Sequence, residues 1–296
     1  MKRSFFLKIG LPALLLLFSN PTLAVPQKSH DFVVTGVVLN SGDAKLLERF
    51  ARVLTEKTGY PLHVVYASSY SELSNILRDH PDSVGWTCEA PFLEDHKAYG
   101  QQLVAVPLFN GKPLLHSLVM TQKGRKEKHL ADFGGEVFAY SDIRSNTGYV
   151  SPAYALQQEH LDISRHFRLL IDTGSHERSI EALLSGLADV AVVDEYVWIQ
   201  YAKAHPDAVG KLQILERMGP YPFSPIVAGT GVDPATIKRL ENALTGMKAD
   251  GRGKALLGSL GLDGFVLEPV KFYAPLEKML NAIYPSGNYD SEPAGK

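Results

Sequence analysis

Hydrophobic positions along the chain switch repeatedly between short continuous runs and a helical period. Phe32, Val33, Val34, Val37, Val38 and Leu39 form a short β-branched run broken by Gly36. Ala44, Leu47, Phe50, Ala51 and Leu54 then recur at helical spacing until Gly59 ends the pattern. The alternation continues as strand over 62–66, helix over 70–77, strand over 83–87, helix over 90–99 and strand over 103–109. After a charged loop at 123–128, a second series opens: strand 136–140, helix 147–160, strand 167–171, helix 175–184, strand 189–193 and helix 195–204. Repeated β-α-β units predict a mostly parallel sheet flanked by helices in each series.

The extended stretches 114–120 and 225–229 bracket the second series, so it reads as an insertion into the first. Later helical patterns at 234–247, 253–260 and 271–283 return to the first unit. The expected organisation is α/β, with one lobe over 25–118 and 225–284, a second over 119–224, and a loose tail over 285–296. Two such lobes joined by two crossing strands form a clamshell whose cleft faces the carboxyl ends of both sheets. A cleft of this kind takes small molecules, and architecture alone does not say which.

The first residues differ in kind from the rest. Lys2, Arg3 and Lys8 flank an apolar run over 9–18, and Thr22-Leu23-Ala24 offers small residues for cleavage before Val25. The run is half the roughly 20 residues that cross a bilayer as a helix, and Pro12 interrupts it. Residues 1–24 therefore read as a secretory signal peptide, the alternative being a retained membrane anchor, and the expected location is the periplasm. Cleavage takes the formal charge from −2 to −5.

At 296 residues the chain has room for about two domains. Thirty Lys and Arg against 32 Asp and Glu, with no long block of one sign, argue against nucleic acid as a partner. A single cysteine, Cys88, excludes an intrachain disulfide and a multi-cysteine metal site. Ten histidines lie scattered without metal-ligand spacing, and no cofactor is called for.

The strongest local signal is Ser145-Asn146-Thr147-Gly148-Tyr149, which follows the strand at 136–140 and opens a helix. Pro152 is tolerated only near the helix start, leaving the N–H groups around 146–149 without helical partners. Hydroxyls, an amide and a glycine around such donors suit an anion, although Ser, Asn and Thr are equally good structural caps. Thr173-Gly174-Ser175-His176-Glu177 repeats the arrangement one unit later, with His176 as a candidate donor or a solvated first-turn histidine. Asp194 ends the next strand at the same edge, as a ligand acceptor or an N-cap. From the first lobe, Tyr70 and the segment Trp86-Thr87-Cys88-Glu89-Ala90-Pro91-Phe92 stand at strand ends, where aromatics wall a cleft or fill a core.

The order Ala67-Ser68-Ser69-Tyr70, Trp86, Pro91-Phe92, Ser145 to Tyr149 with Pro152, Gly174-Ser175-His176-Glu177 and Val192-Val193-Asp194 resembles the phosphate, phosphite and phosphonate-binding periplasmic component of ABC importers. The resemblance spans nearly the whole mature chain and implies the type II periplasmic binding fold. It implies an oxyanion gripped by Ser145, Asn146, Thr147 and Gly148, with Tyr70, His176 and Asp194 at the family's tyrosine, histidine and acidic positions. It also implies an ABC permease as partner. The chain departs from the family pattern in three places. Asn146 replaces a hydroxyl residue, Phe92 a tyrosine, and Glu89 a small residue or proline, where a carboxylate would repel an oxyanion or hold a ligand's amine. Cys88 resembles a subset whose relatives bind arsenite for two-component sensing, which makes it a candidate arsenic ligand or simply a small buried hydrophobe. The expected function is capture of a small oxyanion for a permease by a monomeric protein, the alternative being a sensor that reports to a membrane histidine kinase. A Ser145, His176 and Asp194 triad lacks a G-x-S-x-G elbow, so the expectation is a binding protein, not an enzyme.

Overall fold

The structure is a computed structural model that describes residues 28–37, 44–287 and 289. The expected signal segment 1–24 lies outside the described residues, as do 288 and 290–296 of the expected tail. No helix among the described residues is long and apolar enough to cross a membrane.

The chain opens as β1 (His30–Thr35), α1 (Ala44–Thr58), β2 (Leu62–Ala67), α2 (Tyr70–Asp79), β3 (Val84–Trp86), α3 (Glu89–Tyr99) and β4 (Gln102–Leu108). It continues as β5 (Leu114–Gln122), β6 (Val137–Tyr140), a π-helical turn at Asn146–Val150, α4 (Ser151–Gln158), α5 (Ile163–His166), β7 (Leu169–Asp172), α6 (His176–Ser185), β8 (Val190–Asp194), α7 (Glu195–Ala204), α8 (Pro206–Val209) and β9 (Leu212–Pro222). It ends as β10 (Ile226–Ala228), α9 (Pro234–Thr245), α10 (Gly251–Leu260), β11 (Gly264–Val266) and α11 (Pro275–Ile283).

Two sheets result, in the orders β11-β4-β10-β3-β1-β2 and β7-β6-β8-β5-β9. β1 runs parallel to β2 and β3, and β6 parallel to β7 and β8, as helical crossovers require. β10 and β5 arrive from the other sheet without a crossover and pair antiparallel with their neighbours, so both sheets are mixed. The stretches read as crossings are strands, β5 in the second sheet and β10 in the first, and the chain changes sheet in the turns just before them. β9 and β11 were not foreseen. β9 is a half-exposed edge strand whose polar and apolar residues do not alternate cleanly, and β11 is three residues long.

Both turns between the sheets carry a buried phenylalanine. Phe109 and Phe223 meet Tyr196 of α7 at ring distances of 5.6 and 5.3 Å, and the Tyr196 hydroxyl donates to Leu260 O at 2.7 Å. This aromatic knot ties the two crossings to both lobes.

A second tie lies across the cleft. Arg144, in the loop after β6, is buried against α2 and α3 of the first lobe. Its guanidinium donates to Glu94 Oε2 at 3.1 and 2.8 Å, to Asp95 Oδ1 at 3.1 Å and to Ser74 Oγ at 3.0 Å. Two positions earlier, Asp142 Oδ2 accepts from the Tyr70 N–H at 3.1 Å, placing a carboxylate on the N-terminus of α2. The Tyr284 hydroxyl, after α11, donates to Ile143 O at 2.6 Å. The loop 142–144 is thus clasped from three directions by the opposite lobe.

Removing one side of a buried, hydrogen-bonded ion pair leaves the other uncompensated, at a cost of about 3–5 kcal/mol. Arg144→Met should therefore lower stability by that order in urea denaturation. It should also raise the radius of gyration by small-angle scattering, because opening the lobes rehydrates Glu94 and Asp95. An unchanged radius and midpoint would show that the network does not hold the lobes together.

Candidate functional site

The carboxyl ends of β1, β3, β6, β7 and β8 converge between the lobes. The loop leaving β6 supplies Ser141 and Ser145 before the chain enters the π-helical turn. There the Tyr149 and Val150 N–H groups both bond to Ser145 O, at 2.9 and 3.0 Å. The Ser145 hydroxyl accepts from the Gly148 N–H at 3.1 Å, so the capping role open to this serine is filled. Gly148 is glycine because a Cβ there would lie 2.3 Å from Ser141 Oγ and 3.1 Å from His176 Cε1.

His176 is fully buried at the start of α6. Its Nδ1 accepts from the Asp194 N–H at 3.2 Å, which fixes the neutral tautomer with hydrogen on Nε2. That Nε2–H faces three hydroxyl oxygens: Ser141 Oγ at 3.3 Å, Ser145 Oγ at 3.4 Å and Thr147 Oγ1 at 3.3 Å. Burial pushes the imidazole down to about 3, so His176 is a neutral donor rather than an added positive charge. Its own N–H donates to Val37 O of the first lobe at 3.1 Å, and Ser175 Oγ accepts the Arg178 N–H. These amides of the second helix start are spent on the fold, and His176 serves the cleft through its side chain.

Asp194 combines the two roles open to it. Oδ1 caps α7 by accepting from the Tyr196 and Val197 N–H groups at 2.8 and 3.3 Å, while Oδ2 accepts from Thr147 Oγ1 at 3.3 Å. Burial, and then the Glu89 carboxylate, pushes it up to about 7.

The first lobe closes over this cluster with Val37, Tyr70 and Cys88, which pack together as a small buried group. Cys88 caps no amide through its side chain; its thiol donates to Glu89 Oε2 at 3.0 Å. Burial and the neighbouring carboxylate hold the thiol protonated, well above its usual range. This is the opposite of the thiolate that a soft arsenic ligand needs, so the arsenite expectation finds no support here. Glu89 itself is fully buried, accepting from Asn146 Nδ2 at 2.9 Å and Ser224 Oγ at 3.1 Å, and burial raises its pKa.

Tyr70, Cys88, Ser145, Asn146, Thr147, Gly148, His176 and Asp194 are therefore brought to one cleft. Phe92 is not among them. It lies on the inward side of α3, edge-on to Tyr273 at 4.9 Å, in the first lobe's core, and Trp86 is likewise core, tilted against Phe50 at 5.8 Å. Sequence reading missed Ser141, Asp142 and Arg144, all in the loop before the recognised motif. The Ser-Asp pair directly after the β6 strand was an available signal, because strand carboxyl ends line such clefts. Among the described residues, no group of three or more His, Cys, Asp and Glu could hold a metal ion.

Residues 38–268 match a family model described as the periplasmic substrate-binding protein of phosphonate ABC transporters. No curated protein matches the chain by sequence. Among solved structures, it is similar to a binding component of an ABC phosphonate transporter from Pseudomonas aeruginosa. The TM-score is 0.79 and identity 19%, over 86% of this chain and 85% of that one. It is similar also to PhnD1 from Prochlorococcus marinus in complex with methylphosphonate, with TM-score 0.77 and 16% identity over 86% and 98% of the two chains. The aliphatic sulphonate binding protein SsuA from Escherichia coli is more distant, with TM-score 0.58 and 13% identity over 91% and 95%.

Two outcomes follow from this geometry. Gly148→Ala pushes Ser141 and His176 apart and should cost about 1–3 kcal/mol, measured by thermal or urea unfolding. The Asp194 carboxyl holds its proton to about pH 7 in the folded protein against 3.8 when solvated, so its contribution is present at low pH and lost as pH rises through 7. His176 acts in the opposite sense, its contribution being lost as pH falls below 6.5 towards 3. Melting temperatures of wild type and Asp194→Asn between pH 5 and 8 separate the two. The variant should lose less on going to pH 8, and parallel profiles would contradict a buried, protonated Asp194.

Proposed function

The chain belongs to the family of periplasmic substrate-binding proteins of phosphonate ABC transporters, and from that premise we propose that it captures a small phosphorus oxyanion between its lobes and delivers it to an ABC permease. It is a binding protein and not an enzyme. The observation that carries the reading is the Nε2–H of His176 set among the hydroxyls of Ser141, Ser145 and Thr147 at 3.3–3.4 Å. Those separations exceed the 2.7–3.2 Å of a good N–H···O bond, so one donor is spread over three weak acceptors. An oxyanion oxygen takes that N–H outright and draws the three hydroxyl protons towards itself. Charge-assisted bonds of this kind are roughly twice as strong as the neutral contacts they replace. In a water-excluded cleft they also substitute for the ligand's hydration.

Phosphate, phosphite and the alkylphosphonates fit this donor set, and the neighbour in complex with methylphosphonate supports the class. Tyr70 and Val37 supply the first lobe's wall, and closure through Arg144 and Asp142 presents both lobes as one surface to the permease. A thermal-shift panel of phosphate, phosphite, methylphosphonate and 2-aminoethylphosphonate tests the reading. A ligand at 100 times its Kd stabilises by about 2.7 kcal/mol, a readily measured rise in Tm. Thr147→Leu should abolish the shift while the protein still melts cooperatively. No shift with any member of the panel would overturn the reading.

A further inference from the structure

One helix joins the crossings to the Arg144 clasp. α11 is rooted in the first lobe: just before it, the Tyr273 ring stands edge-on to Phe92 of α3 at 4.9 Å, and the Tyr273 hydroxyl donates at 2.8 Å to Phe223 O, in one of the crossing turns. Leu276, Met279, Leu280 and Ile283 are then buried at intervals of three and four, a single apolar stripe. The helix packs against α3 of the first lobe and against both α4 and the π-helical turn of the second.

Its far end is fastened to the second lobe. The hydroxyl of Tyr284, a residue 3% exposed, reaches Ile143 O at 2.6 Å. Gln157 Nε2, at the end of α4, donates to Ala282 O at 3.1 Å. Lys278 Nζ lies 6.0 Å from the centre of the Tyr154 ring, also on α4. Rotation of one lobe about the crossings moves each point in proportion to its distance from them. The Tyr273 bond sits at a crossing and survives such a rotation. The Tyr284 bond lies beyond a helix of nine residues, about 13.5 Å long, and has to break.

We propose that α11 is a strap, a third link between the lobes, and that Tyr284 is a positioning residue for ligand capture. Two adjacent crossings alone leave a clamshell free to twist as well as to hinge. A third link at a distance from them removes the twist and sets the closed angle. Tyr284 acts through Ile143, two residues before Ser145, so fastening the strap also sets where the hydroxyls of Ser145 and Thr147 stand against the first lobe. Opening the cleft then requires the strap to be released, in addition to the Arg144 network.

Tyr284→Phe removes the fastening hydroxyl and leaves the apolar stripe in place. Tyr60→Phe is the matched control, because the Tyr60 hydroxyl donates to Asp82 O within the first lobe alone. Both variants and wild type are measured by small-angle scattering, with and without methylphosphonate, and by calorimetric titration of methylphosphonate. One buried hydrogen bond is worth about a fivefold change in the ratio of closed to open molecules. The Tyr284→Phe protein should therefore show a larger ligand-free radius of gyration, a methylphosphonate Kd weaker by up to about fivefold as the closed fraction falls, or both. Saturating ligand should return its radius to that of wild type. Tyr60→Phe should lower the melting temperature and leave radius and Kd unchanged, which separates fastening from general stability. If the two variants match in radius and Kd, the strap is overturned and oxyanion capture stands. If wild type does not bind methylphosphonate, the ligand-free radii decide alone: a larger one in Tyr284→Phe supports the strap, and equal ones overturn it.

Discussion

The placement of the whole site depends on one buried guanidinium. Arg144 stands immediately before Ser145, so fixing it against Glu94 and Asp95 fixes the loop that carries the hydroxyls relative to the opposite lobe. Asp142 does the same from two residues earlier, docking on the first amide of α2, whose side chain is the cleft residue Tyr70. The contacts that close the clamshell and those that shape the cleft are therefore neighbours on one short stretch of chain. A disturbance of either is felt by both, and the aromatic knot of Phe109, Phe223 and Tyr196 at the crossings confines the motion that relieves it.

Closure also changes the acid–base character of the residues it covers. In water His176, Asp194, Glu89 and Cys88 would titrate near their ordinary values. In the closed cleft burial drives each towards its neutral form, the imidazole downwards and the three acids upwards. This is why the thiol of Cys88 is a hydrogen-bond donor, and why a lone cysteine in an exported protein need not be reactive.

How much of this was legible in the sequence follows from the range of the interactions involved. Strand and helix periodicity is local, and the alternation that placed β1 to β4 and β6 to β8 survives intact. Ser145 to Gly148, His176 and Asp194 were found because each follows a strand and opens a helix, a relation visible within a dozen residues. Arg144 was invisible because its partners lie 50 positions away and on the other lobe. Phe92 was misplaced because a strand-end motif does not say which way a helix turns its fourth residue. Position 92 points inward to Tyr273, and that is settled by packing against a segment from the far end of the chain. β9 was missed because an edge strand buries too little to show a pattern.

The π-helical turn at Asn146–Val150 has an evolutionary consequence. A turn of this kind holds one residue more than an α-helical turn, and here, at the opening of α4, it places Asn146 towards Glu89 and Thr147 towards His176. Loss of a single codon in this stretch would restore regular winding and turn the side chains at the start of the helix, those of Asn146 and Thr147 among them, by about 100°. The loop can thus explore new chemistry by substitution, as Asn146 illustrates, while its length is locked. Descendants of this chain can change the side chains at these positions, but not the length of the segment that carries them.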